Sequence, residues 1–485
     1  MVVKECFMDN YDVIVAGAGL AGCLAAASAA KNGMKVLLLD RNKESEVGKK
    51  TNWGWVCGEA VASEHLDFVK SKFNINFKYP EIELKVDGIF ALSPDLQHRY
   101  RFDGEGYVLD RPSFQHRLLE CALASGAEYQ QEFEVESPII ENNFVVGLSG
   151  KDKAKAHKDL RAKVVIDALG VATALRRKLP ENPYVDREVD VSDLEATGRY
   201  LYEFDLDHED LNFFDPKSAL IHLDQNIAPG GYGWVFPKEK NMVNIGIGVQ
   251  MESLNIRNKK LNKKDTLHTL MDEYVKRNPV LKNLRLYNKN NNGKGYWSVA
   301  VRRQMESIVF NGYMGAGDSV AMPNPLSAGG IGSAMIAGIL AGEHAASAIS
   351  SKDVSLKGLW KYNVDYNRAY GKKTAGLEVL RVYLQSLNND TINYGMKTFL
   401  TTKEAVDLSY GRVPELSAAA KVKMVLKGAS NIGAFNDLLY AVKKMKELNA
   451  LYTKYPETPE GFAVWRETVE SSMKEAKERF KPNPV

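Results

Sequence analysis

With 485 residues, 45% of them hydrophobic and 26% charged, the chain has the length and composition of a soluble globular protein of about two or three domains. Its net charge of +3 is too small to favour nucleic acid as a partner. The four cysteines, Cys6, Cys23, Cys57 and Cys121, show no CxxC spacing. They fit a reducing compartment and predict neither a metal site nor a disulfide framework.

The N-terminal part of the chain is predicted to form a βαβ unit. "YDVIVA", residues 11–16, is a short apolar strand, and the Ala-rich segment after it is a helix that stops at Gly33. "MKVLLLD" is a second strand that ends at Asp40.

The turn between the first strand and the helix reads "GAGLAG", a GxGxxG motif. The motif predicts a dinucleotide site only where a strand precedes it and a helix follows, and both are present. Gly17 permits the tight turn, Gly19 lets the backbone approach a pyrophosphate, and Gly22 lets the helix pack on the strand. We expect Ala21 to contact the cofactor as well, and Asp40 to accept hydrogen bonds from a ribose diol. A glycine-rich turn without a ligand is the alternative.

Later elements complete an α/β fold, α+β overall. A helix is predicted in "RPSFQHRLLECALASG", strands such as "YGWVFP" and "MVNIGIGVQ" follow, a strand and turn return in "GYMGAGDS", and helices dominate after residue 350. We therefore expect a Rossmann-like FAD-binding domain, an inserted antiparallel-sheet substrate domain and a helical C-terminal region. The predicted boundaries are residues 1–196, 197–303, 304–350 and 351–485.

The choice of FAD over NAD rests on a resemblance. Gly317 and Asp318 in "GAGDS" are similar to the glycine–aspartate motif of the large FAD-binding family that includes the aromatic hydroxylases. The resemblance implies that Asp318 meets the ribityl chain. It also implies that the next helix, from about Ala328, directs its N-terminus at the pyrimidine edge of the flavin, where it stabilises negative charge.

The same resemblance implies four further cofactor contacts. Gly330 and Ile331 would contact the flavin ring through their backbone. Arg111, at the start of its helix, resembles the family's arginine near the cofactor; the alternative is a solvated helix residue. Val135, in the strand after "SGAEY", would lie where such folds pass the adenine.

A second resemblance is more specific. "YGWVFP" resembles the Tyr-x-Trp-x-Phe-Pro signature of geranylgeranyl reductases, with Tyr232, Trp234, Phe236 and Pro237 matching, and "VCGEAV" resembles that family's Cys-Gly-Glu/Asp segment. The likeness runs from Tyr11 to the C-terminal helices. It implies an FAD-dependent enzyme that saturates the isoprenoid chains of archaeal membrane lipids. Its substrate would be a geranylgeranylated glycerophospholipid or geranylgeranyl diphosphate.

An isoprenoid double bond is not conjugated to a carbonyl, so its reduction needs a hydride on one carbon and a proton on the other. Aromatic faces in a dry site stabilise positive charge that develops on the alkene. We therefore predict a substrate pocket lined by aromatic side chains. The candidates are Trp53, Trp55, Tyr232, Trp234 and Phe236. The alternative is packing within the sheet.

Cys57 is the candidate catalytic residue. In the family that the chain resembles, this cysteine lies beside the flavin, where a thiol donates the proton or positions the alkene. Gly58 then allows close approach to the ring, and Ala60 contacts it through its backbone. The alternative is a buried structural cysteine.

Partners and location follow from the same picture. A reductase of prenyl lipids needs an external electron donor, and ferredoxin, a deazaflavin and a nicotinamide stay open. The first ten residues lack an apolar core of signal-peptide length, and the small-residue run 331–349 carries Glu343 and His344. We expect a cytoplasmic enzyme that visits the membrane surface. The rival functions are an FAD monooxygenase and a non-catalytic prenyl-binding carrier.

Overall fold

A computed structural model describes residues 11–44, 57–287, 293–399, 401–412 and 432–485. Among them lie an eight-stranded sheet, a nine-stranded sheet and a helical C-terminal region. The predicted α/β fold class is therefore confirmed.

The strands are β1 (Tyr11–Ala16), β2 (Val36–Leu39), β3 (Ala60–Ala62), β4 (Ile82–Leu92), β5 (Arg99–Leu109), β6 (Glu128–Gln130), β7 (Glu134–Glu141), β8 (Phe144–Lys151), β9 (His157–Asp167), β10 (Leu194–Leu206), β11 (Ala219–His222), β12 (Gly233–Lys238), β13 (Met242–Gln250), β14 (Leu281–Leu286), β15 (Lys294–Ala300), β16 (Val309–Phe310) and β17 (Tyr313–Gly315). The helices are α1 (Leu20–Lys31), α2 (Ser63–Phe73), α3 (Arg111–Ala124), α4 (Ala174–Arg177), α5 (Met251–Leu261), α6 (Leu267–Arg277), α7 (Ile331–Ser350), α8 (Leu356–Tyr366), α9 (Lys372–Thr374), α10 (Leu377–Gln385), α11 (Asn389–Thr398), α12 (Thr402–Ser409), α13 (Ile432–Thr453) and α14 (Phe462–Arg479).

The first sheet has the order β16-β17-β9-β1-β2-β6, and β7 and β8 extend it from β9. From β17 to β6 the neighbouring strands run parallel. Val13 pairs with Val36, so β1, α1 and β2 form the predicted βαβ unit. The strands at the centre are continuous apolar runs because helices or strands cover both faces of a parallel sheet.

Helices α1 and α7 cross at very short range. A Cβ on Gly338 would lie 2.2 Å from the carbonyl oxygen of Ala21, and one on Gly342 would lie 2.4 Å from that of Ala25. Ser28 Oγ donates to the Ile339 carbonyl oxygen across the same contact. The small residues of both helices therefore allow their backbones to touch.

The second sheet has the order β14-β10-β13-β12-β11-β4-β5-β3, with β15 added on β10. All its neighbours run antiparallel except β11 and β4, which run parallel. One face packs on helices α5 and α6 through a core that includes Val235, Ile245, Ile247 and Leu270. The opposite face is turned toward the Cys57 segment.

Two separate stretches of the chain build this second sheet. Strands β10 to β15 lie within the predicted insert 197–303 or reach just outside it, whereas β3, β4 and β5 come from residues 60–109. The four predicted domain boundaries stay a prediction.

The C-terminal region is helical from α8 onward, as predicted. The helix expected from about Ala328 begins at Ile331. It is buried over most of its length, and no helix among the described residues is long and apolar enough to cross a bilayer.

Replacing Gly338 with Ala should destabilise the protein although Ala is the better helix former. The new methyl group would press on the backbone of Ala21, and such overpacking costs about 1–3 kcal/mol. Gly395→Ala is the matched control, since its methyl group would meet Phe399 at an ordinary 3.6 Å inside α11. The control should raise the free energy of unfolding by about 0.5–1 kcal/mol. Shifts of the same sign in urea or thermal unfolding would contradict the close α1–α7 contact.

Candidate active site

The GxGxxG turn has the geometry that was expected at Gly17 and Gly22. Gly17 has φ +99°, and Ala18 N donates to Asp40 Oδ2 at 2.8 Å. Asn42 N donates to the other carboxylate oxygen. A Cβ on Gly22 would lie 1.8 Å from the carbonyl oxygen of Gly17, so only glycine lets α1 start so close to the strand.

Gly19 differs from its neighbours because nothing lies within 4 Å of the position that its Cβ would take. It precedes α1, whose first turn has no side-chain cap and no acidic residue. The turn therefore offers open space beside a helix N-terminus that favours anions. This cradle fits the pyrophosphate of FAD.

The second glycine turn meets the first. A Cβ on Gly317 would lie 3.3 Å from the Cβ of Ala21, and one on Gly330 would lie 3.4 Å from Asp318 Oδ1. Gly330 also precedes Ile331, the first residue of α7, and no side chain caps that helix. Five predicted cofactor residues, Gly19, Ala21, Asp318, Gly330 and Ile331, thus converge from segments about 300 residues apart in sequence.

Asp318 and Arg111 interact electrostatically at this point. Burial raises the pKa of Asp318 to about 6, and the Arg111 charge opposes that rise. Arg111 is buried and is the first residue of α3, which Asp110 caps by accepting from Ser113 N at 2.8 Å. The expected helix-start position of Arg111 is confirmed, and its contact with the cofactor stays a prediction.

Val135 lies in β7, one strand beyond the short β6 that follows "SGAEY". It packs against the core on one side of the first sheet. Two residues earlier, Phe133 N donates to the Asp40 carbonyl oxygen. This part of the chain therefore runs beside the predicted ribose site, and its contact with adenine stays a prediction.

Cys57, Gly58 and Glu59 form a turn, which we call the Cys57 turn. It lies against β12, the strand that carries the Trp-x-Phe-Pro part of the signature. A Cβ on Gly58 would lie 3.0 Å from Cε2 of Phe236, so the phenyl ring rests on this glycine. Ala60 begins β3 and pairs with Val108. Cys57 itself is half-buried, and its Sγ accepts from Glu59 N at 3.3 Å.

The aromatic residues of the signature share one face of the second sheet. Tyr232, Trp234 and Phe236 cluster with small and aliphatic residues, Ala60, Ile89, Ala219 and Ile221. We call this cluster the aromatic wall. It forms because successive side chains of β12 point to opposite faces of the sheet, so Val235 packs in the core on the other face.

Strand β13 makes room for the aromatic wall. Its sequence "NIGIG" places Asn244, Gly246 and Gly248 on the wall side and Ile245 and Ile247 in the opposite core. A Cβ on Gly246 would lie 2.1 Å from the indole of Trp234, so the ring lies directly on the backbone.

Tyr232 has an additional contact. Its hydroxyl donates to the Ser327 carbonyl oxygen at 2.5 Å, which connects the second sheet to the loop before α7. Trp53 and Trp55, the other two predicted pocket residues, lie outside the described residues. The substrate-binding roles of all five aromatic residues stay predictions.

Sequence reasoning missed a buried polar cluster behind the Cys57 turn, formed by Glu59, Arg199, Lys238 and Asn244. The Glu59 carboxylate accepts from Lys238 Nζ at 2.7 Å and from Asn244 Nδ2 at 3.1 Å, and it lies 3.4 Å from Arg199 Nη2. All four side chains are buried. One signal was available: Glu59 belongs to "VCGEAV", the segment already singled out for its resemblance.

Electrostatics keeps this cluster ionised. Burial raises the pKa of Glu59, but the charges of Lys238 and Arg199 outweigh it and lower the pKa below its usual value. Burial lowers the pKa of Lys238, whereas Glu59 and Glu83 raise it, with a net rise. Breaking a buried pair by removing one partner typically costs about 3–5 kcal/mol. Glu59 also has φ +67°, which costs a non-glycine residue about 1 kcal/mol or more.

Asn244 joins the two halves of the site. Its Nδ2 donates to the Cys57 carbonyl oxygen at 2.9 Å, and its Oδ1 accepts from Trp234 Nε1 at 2.9 Å.

The described part of the chain contains no group of three or more side chains that could hold a metal ion.

Comparison with known proteins agrees with this geometry. Residues 12–177 match the family model for FAD dependent oxidoreductases, and residues 196–288 match the geranylgeranyl reductase catalytic domain. The protein is therefore an FAD-dependent oxidoreductase. A digeranylgeranylglycerophospholipid reductase of Sulfolobus acidocaldarius is 33% identical over 475 residues, which cover 96% of this chain and 98% of the relative. The chain belongs to the geranylgeranyl reductase family.

Other relatives extend the comparison. A digeranylgeranylglycerophospholipid reductase of Methanosarcina acetivorans is 33% identical over 72% of this chain and 79% of its own. The crystal structure of a geranylgeranyl bacteriochlorophyll reductase-like protein from Thermoplasma acidophilum has a TM-score of 0.70, with 26% identity over 90% of this chain and 100% of that one. A myxobacterial chondrochloren halogenase, 17% identical with a TM-score of 0.63 over 87% and 97% of the two chains, shares the fold alone.

Gly19→Val should fold normally and fail to bind FAD. The backbone at Gly19 is extended and its surroundings are open, so valine fits the protein but fills the predicted pyrophosphate cradle. Flavin released on denaturation should fall below about a tenth of the wild-type amount, with an unchanged circular dichroism spectrum. Gly433→Val, at an equally open position in the first turn of α13, is the control and should keep its flavin. Full flavin occupancy in Gly19→Val would contradict the placement.

Acidification should weaken FAD binding. As the pH falls through about 6, Asp318 takes up a proton and loses the charge that strengthens its predicted hydrogen bonds to the ribityl hydroxyls. The Kd for FAD, followed by flavin fluorescence from pH 8 to pH 5, should therefore rise. Without FAD the sign is opposite: folded Asp318 keeps its proton to higher pH than the unfolded chain, so stability declines as the pH rises from about 4 to about 6.

Asp318→Asn is the control for this titration. Asparagine cannot titrate, so the variant should bind FAD more weakly at pH 8 and lose the midpoint near pH 6. The same midpoint in both proteins would assign the titration to another group.

Proposed function

We propose that the protein saturates the C=C bonds of geranylgeranyl chains carried on a glycerophospholipid or on a diphosphate. One observation carries the proposal: the ring of Phe236 rests on Gly58, so the aromatic wall meets the Cys57 turn directly. The names of the relatives, which are digeranylgeranylglycerophospholipid reductases, support the class of substrate.

In this proposal the aromatic wall binds the prenyl chain and Cys57 acts at the alkene. Bound FAD, once reduced, supplies the hydride that one alkene carbon needs. The wall excludes water and offers aromatic faces to positive charge on the other carbon. The Cys57 thiol, at the edge of the wall, supplies the proton or holds the alkene in place.

Family membership favours reduction over the two rival functions. A monooxygenase of this fold would transfer oxygen, and a carrier would bind the prenyl chain without reacting. The Sulfolobus acidocaldarius reductase aligns with 96% of this chain, and the match to the geranylgeranyl reductase catalytic domain, residues 196–288, includes β12.

Two further parts of the proposal concern partners. The enzyme takes electrons from an external donor, and ferredoxin, a deazaflavin and a nicotinamide stay open. It meets its lipid substrate at the membrane surface without spanning the bilayer, and we propose a cytoplasmic location.

Cys57→Ala should slow the alkene step and spare electron uptake. The variant removes the thiol, and loss of a general acid typically costs about 100-fold or more. Stopped-flow reduction of the flavin by dithionite should be unchanged. Reoxidation under argon by a geranylgeranyl substrate should slow, and the saturated product should be followed by mass spectrometry.

Cys57→Ser is the companion variant, since it keeps a small polar group but not the acidity of the thiol. Alanine should slow reoxidation at least as much as serine. A loss below about tenfold in both would assign Cys57 a role in pocket shape only. Failure of the wild-type enzyme to reoxidise with the alkene under argon would refute the reductase function.

A further inference from the structure

Beyond the roles considered so far, we infer that Glu59 is a positioning residue, which fixes the Cys57 thiol and the Trp234 indole as one unit through Asn244. The inference rests on the proposed function, in which Cys57 acts at the alkene. In this role the buried Glu59 carboxylate acts through its neighbours and does not itself touch the substrate.

The first support is the backbone of the turn. Glu59 holds a left-handed conformation, φ +67°, although it is not glycine, and it is almost fully buried. Such a conformation persists only where the surroundings determine it. Here Leu109 N donates to the Glu59 carbonyl oxygen at 2.9 Å, and Glu59 N is directed at Cys57 Sγ, 3.3 Å away.

The second support is the anchoring of the carboxylate. Lys238 Nζ reaches both Glu59 Oε2 and the Leu109 carbonyl oxygen, at 2.7 and 2.9 Å, so it ties the side chain to the same strand that holds the backbone. Arg199 lies on the opposite carboxylate oxygen and also interacts electrostatically with Cys57. The side chain of Glu59 therefore has a single well-defined position.

The third support is the connection to the substrate side. Asn244 donates to both Glu59 Oε2 and the Cys57 carbonyl oxygen, and it accepts from Trp234 Nε1. The Glu59 carboxylate thus orients the amide whose other end orients the indole. Moving the carboxylate would shift the thiol and the aromatic wall relative to each other.

Glu59→Gln tests the inference, and Glu83→Gln is the matched control. Both replace a carboxylate paired with Lys238, since Glu83 Oε2 lies 2.5 Å from Nζ, but Glu83 meets Glu59 through its charge, whereas the hydrogen bond that orients Asn244 is accepted by Glu59 itself. Glu59→Gln should slow alkene-dependent reoxidation under argon about tenfold or more. The half-saturating substrate concentration, FAD occupancy and dithionite reduction should change less than twofold. Glu83→Gln should change every readout less than twofold.

A double-mutant comparison separates positioning from a general structural effect. In the Cys57→Ala background, Glu59→Gln should slow reoxidation clearly less than it does in the wild-type background, because the thiol is gone and only the placement of the Trp234 indole is left to be disturbed. Equal slowing in both backgrounds, or no slowing in either, would overturn the inference. Full reoxidation in Cys57→Ala alone would refute the role of Cys57 in the proposed function, and the positioning role would fall with it.

If Glu59→Gln does not fold, the variant Glu59→Gln/Lys238→Met keeps the balance of buried charge, since it removes one carboxylate and the ammonium group paired with it. The same slowing, and the same smaller effect in the Cys57→Ala background, is expected there. Wild-type reoxidation rates in this folded variant would overturn the inference.

Discussion

The close crossing of α1 and α7 is the contact on which the cofactor side of the molecule depends. Each helix begins at a glycine turn that is predicted to touch FAD, and the two turns are about 300 residues apart in the chain. Glycine at 338 and 342 lets the helix backbones touch, so both N-termini and Asp318 reach one place. Larger side chains there would move the two predicted cofactor-binding turns apart by about the width of a methyl group or more. The distance between these turns is therefore determined partly by glycines in the middle of α7, away from the turns themselves.

A second requirement, buried charge, governs the substrate side. Glu59 in the Cys57 turn, Arg199 in β10 and Lys238 in β12 are buried and pair with one another. Buried ion pairs seldom stabilise a fold more than well-packed apolar residues of similar volume would. We interpret the arrangement as a gain in conformational specificity. Because buried ions must be paired, they permit one relative placement of the Cys57 turn and β12. The aromatic wall supplies apolar surface, and the ions determine where that surface lies.

Local patterns predicted much of this molecule. The βαβ unit followed from two short apolar runs on either side of an Ala-rich segment, and β12 and β13 followed from their strand patterns. The two glycine turns were recognisable because backbone geometry demands their residue types. The Glu59 cluster was not predictable in the same way. Its ion pairs join residues 140 and 179 positions apart, and no periodicity records which charge meets which. The same limit hid the membership of β4 in the second sheet, because its partner β11 follows about 130 residues later. Trp53 and Trp55 could be named from the sequence but lie outside the described residues.

The parallel pairing of β4 with β11 also bears on how the chain can be divided. The match to the geranylgeranyl reductase catalytic domain begins at residue 196, after β4, yet β11 forms its ladder with β4 at residues 89–92. A fragment excised at that match would leave β11 as an open edge, with a row of unpaired N–H and C=O groups beside exposed apolar side chains. Edges of this kind promote association between copies. The matched stretch, residues 196–288, is thus not a unit of folding, and it would have to be transplanted or expressed together with the strands that precede it.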